Sequence, residues 1–243
     1  MDSLTISAAS GMRSRMEALD LLANNLANAS TSGFKLDRES YSLYVAPEAV
    51  SSDAPTPSTL PVVERHWTDF GQGSLAATGN PLDLALTSPG FFTVNGPNGP
   101  LYTRNGSFQI LKSGELATSE GYAVQAAGGG TLKLTANQSF EVAPDGTVSQ
   151  NGTAVGRIAV TEFDHPEALA KFGRNCFEAG AGAGARASQT ATMTQGKLEA
   201  SNVSAPETAV RLVNLMRQFE MLQKAISIGA EMNKKSIDEV ARV

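Results

Sequence analysis

The sequence predicts an α+β fold in which long N- and C-terminal helices pack together in a coiled-coil-like manner and the middle of the chain forms an antiparallel β domain. Three observations carry this expectation. Of 23 glycines, 20 lie between Gly71 and Gly196, and all 11 prolines lie between Pro47 and Pro206. Helix-breaking and turn-making residues are therefore confined to the middle. Both ends repeat apolar residues at alternating four- and three-residue spacing, the period of one helix face. The middle changes to period two, punctuated by Asn-Gly, Asp-Gly and Pro-Gly, as short strands with tight turns require. Helices and strands are segregated rather than alternating, which argues against a doubly wound α/β sheet.

Residues 1–35 contain the first helix. Thr5, Ala9, Met12, Met16, Leu19, Ala23, Leu26 and Ser30 form its stripe, thickened by Leu22. Its small and flexible side chains suit close helix packing, and Gly33 is expected to end the helix in the left-handed C-cap conformation. Residues 36–78 read as an extended, proline-containing connecting segment. Within it, Pro47, Pro55, Pro57 and Pro61 deny the stretch 46–61 a helix or a place in a central strand.

Residues 79–195 are the β domain. Leu82, Leu84 and Leu86 alternate with Asp83 and Ala85, Phe91 to Val94 precede Asn95-Gly96, and Tyr102 to Ile110 reads as one strand. Further strands are expected around Leu116, Phe140 to Val142, Thr147-Val148 and Ile158 to Phe163, with turns at Asp145-Gly146 and Asn151-Gly152. Spacing of this kind indicates a barrel-like body or small sandwich. The alternating Gly and Ala of 179–187 read as a flexible loop.

Residues 196–243 lead into the last helix. Ser204-Ala-Pro-Glu207 has the form of a capping box, with Pro206 in the first turn. Beyond it Leu212, Met216, Phe219, Gln223, Ile226, Ala230, Asn233, Ile237 and Val240 form a second 4-3 stripe. Leu215, Leu222 and Ile228 lie off that seam and broaden the apolar surface beyond what one intramolecular partner obviously covers. Two readings follow: an ordinary antiparallel helix pair, or helices that polymerise with copies from other chains. Gln223 and Asn233 on the seam fit register control in the second and equally fit a solvated face. Gly229, the only glycine of this helix, is the expected point of close helix approach.

A search for chemistry returns nothing that needs a catalyst. Nineteen basic against 24 acidic residues, net −5, disfavour a nucleic-acid partner, whose grip needs a dense basic surface. No apolar run is long enough for membrane insertion, and Asp2, Arg13, Arg15, Glu17 and Asp20 interrupt any signal-like apolar stretch. Taken alone this means cytoplasmic, with export by a route that cleaves no signal left open. The single cysteine, Cys176, excludes an internal disulfide and reads as a small buried hydrophobe. His66 reads as a packing neighbour of Trp67 and His165-Pro166 as a surface turn. Gly180, Gly182 and Gly184 lack the strand–helix context and the Lys-Ser/Thr of a phosphate cradle, and Asp83, Asp145 and Asp164 read as turn and edge residues. No catalytic residue, metal site or cofactor is expected.

Four segments resemble the flagellar rod and hook family of axial proteins. They are Ala23-Asn-Asn-Leu-Ala-Asn28 running through Gly33-Phe34-Lys35; Asn80-Pro-Leu-Asp-Leu-Ala85 with Gly90-Phe91-Phe92 and Tyr102-Thr-Arg-Asn-Gly-Ser-Phe108; Leu169 through Gly173-Arg-Asn-Cys-Phe177; and Gln195-Gly-Lys-Leu-Glu-Ala-Ser-Asn-Val203. They span nearly the whole chain in order. Arg217-Gln-Phe-Glu-Met221 is similar to the proximal-rod branch of the family, with the distal-rod branch as the alternative.

The resemblance implies a structural, non-enzymatic rod component whose terminal helices form a tube domain around the export channel and transmit torque, with the β domain outside. It implies other copies and related rod proteins as partners, the flagellar export apparatus during secretion, and a basal-body location reached without signal cleavage. Expected interface residues are Met12, Met16, Leu19, Ala23, Asn24, Asn25, Leu26 and Asn28 on the first helix. On the last they are Leu212, Met216, Phe219, Gln223, Ile226, Ala230 and Ile237. The three asparagine amides are expected to bond backbone at the helix end, and the helices to order on assembly. The competing readings are a secreted β-domain carbohydrate-active enzyme with oligomerising helices, and a cytosolic helix-mediated adaptor.

Overall fold

The computed structural model describes the backbone of residues 3–45, 59–135 and 138–240, and the side chains of 11–39, 66–135, 138–232 and 234–235. The fold is α+β, with a β-rich body and a helix near each end. It divides into two compact units: Met1–Ala27, Asp37–Asp69 and Ser204–Val243 form one, Asn28–Leu36 and Phe70–Val203 the other.

The helical unit contains α1 (Ser3–Ala27), the strands β1 (Asp37–Val45) and β2 (Thr59–Thr68), and α2 (Ala205–Val240). α1 stops at Ala27, short of the expected Gly33, because Asn28 starts a turn: Thr31 N–H donates to the Asn28 carbonyl at 3.0 Å and Thr31 Oγ1 to Asn28 Oδ1 at 3.2 Å. The segment read as an extended connection carries an antiparallel ribbon. It pairs Asp37 with Thr68 through to Val45 with Thr59, with an irregularity at Ser40/Tyr41. Pro61 is tolerated there because both strands of a two-stranded ribbon are edges. Most of the proline-rich stretch, residues 46–58, lies outside the described residues.

α1 packs against α2 and the ribbon. Its inward residues are Ser14, Ala18 and Asn25, all buried, in line with Gly11, where an added Cβ would lie 3.9 Å from Leu222 Cδ1. The packed face thus runs through small side chains, displaced around the helix from the Met12–Leu26 stripe. Met16 is 54% exposed and Ala23 is exposed, while Met12, Leu19 and Leu26 are half-buried. Thr5 and Ala9 have side chains outside the described residues.

On α2 the large apolar residues that are half-buried are Leu212, Leu215, Phe219, Leu222 and Ile226, with Thr208 buried. Leu215 and Leu222 therefore belong to the packed face, whereas Met216, Gln223 and Ala230 are exposed. The side chains of Asn233, Ile237 and Val240 lie outside the described residues. Among the described residues a Cβ at Gly229 would meet nothing within 4 Å. Ser204 stands immediately before α2, its carbonyl accepting from Thr208 N–H at 2.9 Å, and Glu207 pairs with Arg211 at 2.8 Å.

Among its described residues the β-rich unit holds fifteen short strands, β3 to β17. Six form one antiparallel sheet in the order β13 (Leu169–Phe172), β14 (Cys176–Ala179), β6 (Pro100–Thr103), β5 (Phe91–Asn95), β12 (Val160–Phe163) and β15 (Ala185–Ala187). A second sheet orders β11 (Thr153–Arg157), β10 (Thr147–Gln150) and β9 (Phe140–Val142). The Asn151-Gly152 turn joins its first two strands, with Asn151 at φ 52° as such a hairpin demands. Two-stranded pairs join β16 (Met193–Gln195) to β4 (Leu84–Leu86), β17 (Lys197–Glu199) to β3 (Leu75–Ala77), and β7 (Phe108–Ile110) to β8 (Leu116–Thr118).

Tyr102 to Ile110 is two strands rather than one. The chain turns between them because Gly106 presses on Leu84, where a Cβ would lie 1.6 Å from the carbonyl oxygen. The Gly/Ala stretch is a loop only over residues 180–184: Ala179 ends β14, Ala185–Ala187 pairs with β12, and Ala183 within the loop is buried. The larger core joins Leu84, Phe92, Val94, Phe108, Val124, Val148 and Ile158; a second, aromatic core joins Phe91, Tyr102 and Phe177, with Phe70 and Phe163 stacked edge-on to Phe91 at 5.5 and 5.7 Å.

Candidate functional site

Burying a charge is costly unless it is paired and hydrogen-bonded, yet the β-rich unit buries Lys35, Glu199 and Arg104 together. Lys35 and Glu199 are 0% and 1% exposed. Gly33 brings the first of them in. Its φ is +69°, and a Cβ on it would lie 2.4 Å from Asn105 N, so only glycine lets this segment lie against the Arg104-Asn105 backbone. Arg104 opens the turn after β6, and Glu199 ends β17.

Glu199 Oε1 accepts from Lys35 Nζ at 2.5 Å and from Gly73 N–H at 3.0 Å, and Oε2 accepts from Arg104 Nη1 at 3.3 Å. Lys35 Nζ also donates to the Gly71 carbonyl at 2.7 Å. Arg104 Nη1 donates to the Ser88 carbonyl at 3.1 Å, and its guanidinium carbon stands 5.3 Å from the Phe91 ring centroid. Burial pulls the Arg104 guanidinium below its ordinary pKa, and the neighbouring Glu199 carboxylate opposes that.

Neutral groups extend the network. Asn202 Oδ1 accepts from Leu36 N–H at 2.8 Å while its Nδ2 donates to the Gly71 carbonyl at 3.1 Å. Gly33 N–H donates to the Glu199 carbonyl at 2.7 Å. Asn175 Nδ2 donates to the Ser32 carbonyl, and the Asn175 carbonyl accepts from Thr103 Oγ1 at 2.7 Å. Lys171 Nζ donates to the Lys35 carbonyl at 2.8 Å and lies 4.3 Å from the Phe34 ring centroid. All four segments that carry the rod and hook resemblance therefore meet here, through Lys35, Arg104, Asn175 and Glu199. Sequence reasoning singled out the segments but not these side chains. The available signal was charged residues inside motifs otherwise made of small and apolar ones.

The expected interface residues are placed elsewhere, on the helices. Asn25 is 2% exposed and is used within its own unit: its Nδ2 donates to the Asp37 carbonyl at 2.8 Å and its Oδ1 accepts from Asp37 N–H at 3.0 Å. Asn28 accepts from Thr31, and Asn24 is exposed. Among the described residues of α2, the large apolar ones left in water are Val210 (62%), Val213, Met216, Met221 (63%), Ile228 (49%) and Met232 (65%). Cys176 is buried and free, and burial pushes its thiol up to about 11, which keeps it protonated and unreactive. His165 is exposed, with Nδ1 3.1 Å from Glu167 Oε1. Among the described residues no group of three or more His, Cys, Asp or Glu could hold a metal ion, and no helix is long and apolar enough to cross a membrane.

Three family models match the chain: "Flagella basal body rod protein" over residues 7–35, "Flagellar hook protein FlgE/F/G D1 domain" over 85–150, and "Flagellar basal body rod FlgEFG protein C-terminal" over 194–239. Similar proteins include the flagellar basal-body rod protein FlgF of Caulobacter vibrioides, 32% identical over 93% of this chain and 92% of that one. The rod protein FlgG of Bacillus subtilis is 29% identical over 96% and 97%. FlgG of Borreliella burgdorferi is 31% identical over 93% and 94%.

Proposed function

The chain belongs to the flagellar rod and hook family as a structural component of the basal-body rod, and from that premise we propose that it polymerises through a second apolar face of its terminal helices. One observation carries the proposal: α2 is apolar on two sides. Leu212, Leu215, Phe219, Leu222 and Ile226 are half-buried, whereas Val210, Met221, Ile228 and Met232 remain in water. At about 100° per residue the second group spans roughly 40° of the helix and lies about 150° from the first, with the exposed Val213 and Met216 on the arc between them. A single neighbouring helix covers one such face, not both.

Length gives the same answer. α2 has 36 residues and α1 has 25, so at least about 16 Å of α2 has no α1 beside it. Completing the burial of each exposed Val, Ile or Met is worth on the order of 1 kcal/mol, which several neighbours supply together.

In the assembly, Leu212, Phe219 and Ile226 on α2 stay with α1 of the same chain, while the second face, with Met216, Gln223, Ala230 and Ile237 on α2 and Met12, Met16, Leu19, Ala23, Asn24 and Leu26 on α1, meets helices of neighbouring subunits in a coiled-coil-like tube. Asn25 and Asn28 hold the end of α1 for that contact. The tube encloses the export channel and transmits torque. Its partners are other copies and related rod proteins, with the export apparatus engaged during secretion without signal cleavage. The role is mechanical, not enzymatic, and Arg217 to Met221 favour a proximal position in the rod.

Met221→Asp with Ile228→Asp tests the reading. The variant chain is expected to fold and be secreted but to be missing from purified basal bodies. Normal incorporation would overturn the second face. The helices also order on assembly, so protease is expected to cut dilute chain within residues 1–30 and to spare the same residues in rods. Full protection of the dilute chain would sink that part.

A further inference from the structure

The two units differ in where they keep methionine. Among the described residues the β-rich unit has one, Met193, which is 3% exposed inside the larger core. The others lie on the helices, where Met16 of α1 and Met216, Met221 and Met232 of α2 are between 49% and 65% exposed. Among the described residues these are four of the seven large apolar side chains that α1 and α2 leave in water. Met221 and Met232 are about three helical turns apart, so they stand one above the other on the second face of α2. A thioether is an apolar group that a mild oxidant makes polar in a single reversible step.

We propose that these four thioethers make the joining face sensitive to peroxide: oxidation of the free chain to methionine sulfoxide keeps it out of the rod, and burial on joining protects the sulfurs. The inference rests on the polymerisation reading above and adds a modification to it. In the step a sulfur lone pair attacks one oxygen of hydrogen peroxide, the O–O bond breaks, the S–O bond forms and the second oxygen leaves as water. Sulfur gives up two electrons and the peroxide takes them. The product carries a strong acceptor where the seam needs an apolar atom. An apolar seam offers that acceptor no donor, so burying it is unfavourable, whereas the unoxidised thioether adapts to irregular packing. On the free chain the same oxygen is solvated, and the fold is left intact. Met193, whose oxidation would disturb the core, is shielded by the core itself. A methionine sulfoxide reductase restores the thioether, so the block is reversible.

Hydrogen peroxide is applied briefly to dilute full-length chain and to isolated basal bodies, and the added oxygen is located by peptide mass analysis. In the free chain Met16, Met216, Met221 and Met232 are expected to oxidise at least tenfold faster than Met193. In basal bodies the same four are expected to react at least tenfold more slowly than in the free chain. Rates no faster than that of Met193, or equal rates in free and assembled chain, overturn the proposal. The block is read in cells exporting the chain during a short peroxide pulse, as recovery in basal bodies. Recovery of the unsubstituted chain is expected to fall at least threefold. A chain with Met16→Leu, Met216→Leu, Met221→Leu and Met232→Leu keeps the apolar face without its sulfurs and is expected to be unaffected. No fall, or an equal fall in both chains, overturns the proposal. Met221→Gln is the second variant and does not depend on four leucines packing as methionine does. It places a neutral polar group at one exposed position, as the sulfoxide would, and is expected to lower recovery at least threefold without peroxide; normal recovery overturns the proposal. The double variant Met221→Asp, Ile228→Asp separates this inference from its premise. If it joins the rod normally, the polymerisation reading has failed and this inference falls with it. If it is excluded while Met221→Gln and the oxidised chain join normally, the peroxide sensitivity alone has failed.

Discussion

The β-rich unit and the last helix use the same apolar side chains and treat them oppositely. Phe92, Val94, Val124 and Val148 are fully withdrawn from water inside the body, whereas Val210, Met221, Ile228 and Met232 stay in it on α2. The body satisfies its own hydrophobic demand and even buries three charges by pairing them. The helix carries apolar surface that its own unit does not use. Folding explains the first region, while the second is the surface we propose a neighbouring subunit covers.

The sharpest way to break this contrast is inside the body. Glu199→Ala leaves Lys35 and Arg104 buried without their carboxylate and should cost about 3–5 kcal/mol, read by denaturant melts of the purified chain. Phe92→Ala removes the ring that packs edge-on against Phe108 at 5.1 Å and should cost about 3–4 kcal/mol by the same measurement.

A smaller effect follows from Cys176, whose thiol is raised from 9.0 to about 11. The native state holds its proton where the unfolded chain has lost it. The resulting stability is fully present below pH about 9 and is lost as pH rises through about 11. The loss should be on the order of 1 kcal/mol after allowance for solvent screening. Tyr102, also raised by burial, acts in the same direction. Melts between pH 8 and 11 should show a slope that flattens in Cys176→Ala. The smallest effect on stability is expected from Met221→Ser, within about 0.5 kcal/mol, and the same change should visibly reduce recovery in basal bodies. A large loss of stability there would erase the distinction between the two regions.

The parts of the fold that local chemistry decides were readable from sequence. Ser204 marks the start of α2, the Asn151-Gly152 turn falls where expected, and Cys176 is buried. Periodicity found both helices but not which face turns inward. Alternating four- and three-residue spacing gave the weight to the larger Met12, Met16 and Leu26, whereas α1 packs through Gly11, Ser14 and Ala18, whose small size allows the approach. Proline content hid the β1–β2 ribbon, because an edge strand accommodates a proline that a central strand would not.

The Lys35–Glu199 pair was beyond any local reading. Its members stand 164 residues apart, and each alone has the profile of a surface charge. Gly33 was read as a helix stop because the left-handed conformation suits one. Its true constraint is the backbone of Arg104 and Asn105, which only the folded chain supplies.

The four places where the sequence passes between the two units, after residues 27, 36, 69 and 203, give the ion cluster a mechanical meaning. Residues 32–36, 71–73 and 199–202, which adjoin three of those passages, are bound to one another inside the body by Lys35, Glu199 and Asn202. A pull on any one of these strands is shared with the others before it reaches the sheets. Such links behave as springs in parallel, which yield only when several bonds fail at once, rather than as a zipper that opens one bond at a time. A structural component of the rod would gain from that arrangement.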